Sequence, residues 1–337
     1  MQGVHLRLKP GEGQVMGSIG PFHFLFRSKS ITLIMSVLIS GSVALDSIHT
    51  SSTIHNELLG GSASYAALAA GLNTPVQLCS IVGSDFPEEH RKLLVDHGID
   101  LENMEVVQGG RTFRWTGRYH DDMNHRETLA VSIDVLEHFK PKLNPSAAVA
   151  KIVLLANMSP DNQFDVLQQV TGQPFVIADS MDLWINIARD RLLDLMKKVD
   201  LFVINEDESK LFVDTSNLIK AGRKLQELGP KYVVVKKGEH GALLFGPDQL
   251  FMTCAYPLTS VADPTGAGDT FAGGMAGHLD SLGRPAITFA DLSAAVVYGS
   301  VLASFTCEEF GVKRLASLTS DQAAARLAAF NNYTTIS

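Results

Sequence analysis

Cysteine is scarce in this chain: Cys79, Cys254 and Cys307 stand far apart among 337 residues, with no CxxC spacing. Scattered thiols fit a reducing cytosol better than a disulfide framework. Basic runs are missing too, and the formal net charge is -8, which argues against a nucleic-acid partner. No GxxxxGK[ST] occurs, and a dinucleotide GxGxxG fails because Phe271 stands where its last glycine is needed. One apolar segment needs separate treatment. Residues 31–45, "ITLIMSVLISGSVAL", follow Arg27 and Lys29, but the stretch is short for a spanning helix and late for a secretory signal. It reads as a buried strand beginning near Met35. Residues 1–34 show no periodicity and form an extension whose place in the natural protein is open, with Met35 a candidate start.

What is present is an ordinary globular composition, 45% hydrophobic and 19% charged. Apolar runs alternate with helical patterns. "SVLISGSVAL" (36–45) precedes "SASYAALAAGL" (62–72), and "VQLCSIVG" (76–83) precedes "FPEEHRKLLVDHG" (86–98). "KIVLLAN" (151–157), "PFVIAD" (174–179) and "VDLFVIN" (199–205) are short and almost uniformly apolar, as strands of a parallel sheet covered on both faces must be. "KYVVVKKG" (231–238) adds a strand, and "GALLFG" and "QLFMTCAY" predict antiparallel strands at that edge. Helical stretches near 286–305 and 319–331 close the chain. The pattern predicts one doubly wound α/β domain over 35–337, a mostly parallel sheet with helices on both faces. At 111–133 the rhythm breaks. In "RTFRWTGRY", Phe113, Trp115, Gly117 and Tyr119 share one side, and Arg114, Thr116 and Arg118 the other. A polar turn and "RETLAVSI" complete a hairpin, either a lid inserted into the domain or a solvated edge.

The chemistry concentrates in "DPTGAGDTFAGG" (263–274). Unpaired amides and the helix dipole make a helix N-terminus an anion site, and Gly266, Ala267 and Gly268 are too small to block a ligand. Asp269 cannot bind an anion there. It could take a proton from a hydroxyl attacking that anion, as in-line phosphoryl transfer requires, or it could simply cap the helix. "NEDE" places Asn205 and Glu208 one turn apart after a strand. They could orient Mg²⁺ through its waters or form a capping box. "KKGEHG" (236–241) is a glycine turn at another strand end, able to carry nucleotide phosphates past Lys237 and Gly238.

Together these residues resemble the PfkB-type, ribokinase-like family of carbohydrate and nucleoside kinases. "DPTGAGDTFAGGMA" (263–276) matches that family's C-terminal signature throughout. "GSVALD" resembles its first-strand motif, "LGGSASY" its double-glycine substrate loop, "NEDE" its N-x-x-E and "KKGEHGA" its nucleotide turn. The resemblance spans roughly residues 36–312. It implies ATP and Mg²⁺ as cosubstrate and cofactor, with Asp269 as the base and the amides of Gly266, Ala267 and Gly268 as the anion hole. Asn205 and Glu208 would organise Mg²⁺ and the phosphates, and Lys237, Gly238 and Gly241 would lie along the nucleotide. Asp46 would accept hydrogen bonds from substrate hydroxyls, and Gly60 and Gly61 would let the substrate approach the backbone. Asp263 and Thr265 fall where many relatives bind a monovalent cation, which implies K⁺. A functional Asp46 is incompatible with cleavage of the preceding strand, so a cytoplasmic protein is expected.

Departures from the family pattern bear on the substrate. Tyr65 stands where many relatives carry a sugar-binding Asn, which weakens a ribose or fructose assignment. Only thirteen residues separate Asp46 from Gly60, so the 111–133 hairpin is expected to be the main lid, and a monomer or a homodimer would both fit. The leading expectation is an ATP-dependent kinase acting on a hydroxymethyl group of a small sugar or sugar-like substrate. The alternative is a nucleoside kinase of the adenosine or inosine type, with Tyr65, Phe113 and Trp115 as aromatic surfaces. A ligand sensor without catalysis is a third reading, opposed by the intact base. If the Arg114/Arg118 face turned inward the substrate would be anionic; otherwise that face is a solvated basic surface near Asp121 and Asp122.

Overall fold

The computed structural model describes residues 37–335, apart from Asp122, Asn124 and His125. The readings made above for residues 1–34, Met35 and Asp122 lie outside the described residues. Among the described residues, fourteen strands form two sheets. In chain order they are β1 (Val37–Ser40), β2 (Ala44–His49), β3 (Ile54–Gly60), β4 (Val76–Gly83), β5 (Ile99–Asp100), β6 (Met104–Val107) and β7 (Arg114–Tyr119). There follow β8 (Arg126–Ser132), β9 (Ile152–Leu155), β10 (Phe175–Asp179), β11 (Leu201–Asn205), β12 (Tyr232–Lys236), β13 (Ala242–Gly246) and β14 (Gln249–Thr253).

The large sheet runs β14-β13-β12-β11-β10-β9-β1-β4-β5, with β6 also on β4. Every pairing from β12 to β5 is parallel, and β12, β13 and β14 pair antiparallel as expected. Alternate residues of each central strand enter different cores. Val37 and Ile39, Leu201 and Val203, and Tyr232 and Val234 join the core on one face. Leu38, Phe202 and Ile204, and Val233 and Val235 join that on the other. Both parities are buried, so the strands read as unbroken apolar runs, each buried branched side chain contributing about 1.5–3 kcal/mol.

On the first face, helix Ser62–Gly71 packs against helix Ala267–Ser281. A β-carbon on Gly273 would lie 2.2 Å from the Ala66 carbonyl oxygen, and one on Gly277 would lie 2.7 Å from Ala70 Cα. The pairing advances in the same direction along both helices, so they run parallel with their N-termini side by side. The small residues of "SASYAALAAG" and "FAGGMAG" thus serve backbone approach. One helix among the described residues, Phe289–Thr306, is long and apolar enough to cross a membrane, and most of it is buried inside the protein.

Two expectations need correction. "SVLISGSVAL" is not one strand: β1 stops at Ser40, and β2 joins the second sheet. The break is held by Ser42 and Ser62, each of whose amides donates to the other's hydroxyl (3.2 and 3.1 Å). Nor does the 111–133 hairpin stand alone. The second sheet has four strands, β3-β2-β7-β8, so residues 44–60 build half of it. β2 bonds β7 in parallel, a long-range pairing that local alternation does not reveal.

Candidate active site

The carboxyl ends of β10, β11 and β12 converge beneath the N-terminus of helix Ala267–Ser281. Chain order reverses at β1, whose neighbours β4 and β9 carry the chain to opposite sides. Such switch points are where open α/β sheets bind ligands.

Gly266 caps the helix in the left-handed region (φ 76°), and no side chain caps it. Asp269 lies within the first turn, so the capping alternative does not hold. Of the three amides expected to bind an anion, Ala267 donates to the Pro264 carbonyl (3.1 Å), closing the turn. Among the described residues the amides of Gly266 and Gly268 have no backbone or side-chain acceptor, which leaves them for a ligand. Tyr65, buried at 2% exposure, fills the space under the turn. A β-carbon on Gly266 would meet its ring at 2.4 Å. Burial pushes the Asp269 carboxyl up to about 7, the Asp179 carboxylate adding to it while Lys236 and Arg126 oppose it.

Asp46 enters from β2 and is almost wholly buried. Burial raises it to about 7 as well, against the pull of the Gly61 amide that donates to it. A β-carbon on Gly60 would stand 1.9 Å from its Oδ2, so the double glycine leaves room for this carboxylate. Asp46 pairs in register with Trp115 across β2 and β7. Trp115 lies across Gly117, whose β-carbon would overlap the ring at 1.9 Å. Its Nε1 donates to Thr128 Oγ1 (3.2 Å) and the Arg126 guanidinium sits 5.4 Å from the ring centroid. Phe113 precedes β7, and its carbonyl accepts from the Leu45 amide.

The Asn205–Glu208 pair forms the capping box in full. Glu208 N donates to Asn205 Oδ1 (2.8 Å) and Asn205 N donates to Glu208 Oε2 (3.0 Å). One carboxylate oxygen of Glu208 is left without a partner among the described residues. Burial raises this carboxyl to about 7, as befits a group awaiting positive charge. Among the described residues no three His, Cys, Asp or Glu side chains cluster as a metal site. An amide oxygen and a carboxylate are hard oxygen donors of the kind that suits Mg²⁺ held through its waters. Gly238 and Gly241 shape a single 3-10 turn, and Lys237 N donates to the Gly241 carbonyl (2.7 Å).

Asp263 and Thr265 lie beside the 266–268 turn. Asp263 is fully buried, and its two oxygens accept the amides of Thr265 (2.9 Å) and Gly311 (3.0 Å). The Thr265 hydroxyl donates to Tyr119 (3.1 Å). These side-chain oxygens brace the turn. Arg114 is paired with Asp85 (2.9 Å) and Glu57 (3.5 Å), and Arg118 with Glu127 (3.4 Å). Both charges are balanced by these acids.

Sequence reasoning missed three residues. Arg126, first in β8, is close enough to lower Asp46, Tyr119 and Asp269. Asp179 and Lys236 form an ion pair (3.2 Å) behind Asp269. Strand parity carries a signal for the pair. Asp179 is in phase with Ile177, Asn205 with Val203, and Lys236 with Val234, all on the face of helix Ala267–Ser281.

Comparison with known proteins bears on the family and the fold. Residues 28–318 match the model of a family described as pfkB family carbohydrate kinase. A cytidine kinase from Thermococcus kodakarensis is 27% identical over 258 residues, covering 74% of this chain and 90% of the relative. A nucleoside kinase from Methanothermobacter thermautotrophicus is 30% identical over 264 residues, covering 75% and 79%. Among solved structures, a putative ribokinase II from E. coli in complex with ATP and Mg²⁺ superposes with a TM-score of 0.72 at 19% identity, over 87% of this chain and 99% of the other. At that identity the likeness speaks to the fold.

Proposed function

The chain belongs to the pfkB family of carbohydrate kinases, and from that premise we propose how its residues transfer phosphate from ATP to a hydroxymethyl group of a sugar or nucleoside. The observation that carries the reading is the juxtaposition at 266–269, where two free amides stand beside a carboxylate that burial raises to about 7. Gly266 and Gly268 receive the transferred phosphoryl. Asp269 takes the proton of the attacking hydroxyl, a role suited to a base titrating near neutrality. Asp46 accepts hydrogen bonds from the acceptor's other hydroxyls and so aims it. Asn205 and Glu208 would hold Mg²⁺ through water, Lys237, Gly238 and Gly241 line the nucleotide, and the ion, when bound, neutralises charge on the phosphates. An ATP-consuming enzyme with three free cysteines is expected in the cytoplasm.

Within this chemistry a nucleoside acceptor is favoured by Trp115. Its ring lies flat along the lid strand over Gly117, in register with Asp46, a surface on which a planar base can stack. The cytidine and nucleoside kinases among the relatives support the same reading. The test is ATP consumption across a panel of nucleosides and free sugars, with calorimetry on each candidate acceptor. Nucleosides should bind without ATP; binding by a free sugar alone would overturn the nucleoside assignment. Asp269→Asn should cut turnover at least a thousandfold while Mg·ADP affinity stays within about threefold. Full activity in that variant would overturn the mechanism.

A further inference from the structure

Arg126 enters no step of the mechanism above. It opens β8, its Cα paired with that of Tyr119 on β7. The two strands slip between Thr116 and Gly117: Thr116 pairs with Ala130, but Gly117 pairs with Thr128. Leu129 is therefore the extra residue of a β-bulge. Side chains alternate along a strand, so regular pairing would put Leu129 and Glu127 on the face of Trp115. The bulge puts Thr128 and Arg126 there instead. Glu127 turns to the opposite face and pairs with Arg118 (3.4 Å). A cation is thus aimed at the acceptor side where an acid would otherwise stand.

The side chain is exposed, and among the described residues no oxygen accepts from its guanidinium. It lies over the Trp115 ring, 5.4 Å from the centroid. The opposite face of that ring rests on Gly117, and its Nε1 is held by Thr128 (3.2 Å). Arg126 therefore covers the face that is left. Elsewhere in the chain arginines lie directly on rings, Arg326 at 3.4 Å from Phe305 and Arg191 at 3.7 Å from Phe164. The Trp115 pair is wider than direct contact. It falls about 1.5 Å short of the about 7 Å that two stacked layers need at about 3.5 Å each. A small swing of an exposed, flexible side chain makes up the difference. The same charge is close enough to Asp46 and Asp269 to oppose the effect of burial on both.

We infer that Arg126 closes over the base of a nucleoside acceptor, holding the planar ring between its guanidinium and the Trp115 indole, and so selects nucleosides over free sugars. The inference rests on the nucleoside reading. A guanidinium is planar and weakly hydrated, so it stacks where an ammonium does not. Its charge is also attracted to the face of an aromatic ring. A free sugar has no such face and gains nothing from the pair. Arg126 takes no proton and touches no phosphate in this role; it determines specificity.

The test uses Trp184→Phe, which leaves Trp115 as the only tryptophan. Inosine, cytidine and ribose are titrated without ATP, by calorimetry and by indole emission. A bound nucleoside should quench Trp115. Arg126→Met should weaken that binding at least tenfold, with Mg·ADP affinity changed less than twofold. Arg126→Lys keeps the charge but loses the plane, and should still weaken it at least threefold. Nucleoside affinity unchanged in Arg126→Met overturns the inference, as does binding that leaves Trp115 emission unaltered. Full recovery in Arg126→Lys also overturns it, since that would mark charge balance at Asp46 and Asp269 in place of stacking. If the unaltered protein binds neither nucleoside, with or without ribose binding, the nucleoside reading itself fails and this inference falls with it.

Discussion

Gly266 satisfies two constraints at once. Its φ of 76° is a conformation side-chain-bearing residues avoid, and the Tyr65 ring occupies the place of any β-carbon. Alanine there would force the ring or the turn to move, at about 1–3 kcal/mol by the usual cost of overpacking. Thermal melts of Gly266→Ala should show that loss. Turnover should fall at least a hundredfold because the free amides shift, while Mg·ADP affinity holds. If turnover survives in the destabilised variant, the amide at 266 is not an anion ligand. Tyr65 accordingly has a packing role of its own: its ring is the floor of the 266–268 turn.

At the scale of elements, several contacts dock the four-stranded sheet on the core, the Arg114–Asp85 pair (2.9 Å) and three others among them. Tyr119 on β7 accepts from Thr265 at 3.1 Å, His55 on β3 lies 4.0 Å from Phe310 by ring centroids, and a β-carbon on Gly311 would touch Leu58 at 3.3 Å. Removing the hydroxyl in Tyr119→Phe should cost about 1 kcal/mol and speed amide exchange in residues 44–60 and 114–132. Exchange in β9 to β12 should stay as it was. Equal acceleration in both sheets would show that the lid opens only with the whole fold. The strands of the large sheet were legible because each is short, apolar and buried on both faces. The lid's composition was not, since β2 reads as a continuation of β1 until one sees Ser42 and Ser62 turn the chain away. Asp269, Asn205 and Glu208 were legible from motif and spacing. Lys236 was hidden beside Lys237, and only the alternation of Tyr232, Val233, Val234 and Val235 between the two cores separates them.

For the whole molecule, the site is a stability burden that depends on pH. Asp46 and Asp269 both rise from 3.8 to about 7, burial being the main cause. Between those values the folded protein keeps protons that the unfolded chain has released. Stability from these groups therefore falls as pH rises from about 4 to about 7 and is level above. The ligand-free protein should melt lower at pH 7.5 than at pH 5, and Asp46→Asn should raise the melting temperature more at pH 8 than at pH 5. An equal gain at both would mean the carboxylate titrates as it does in water.

In the proposed mechanism the two acceptor-side carboxylates are divided between sheets: Asp46 stands on the four-stranded sheet, Asp269 on a helix packed on the large one. A polyol that bridges them ties lid to core. Water can meet Asp269 alone, and it has no second arm with which to draw the lid down. Idle hydrolysis of ATP would thus be kept low by the way the site is split, with no separate safeguard against water required.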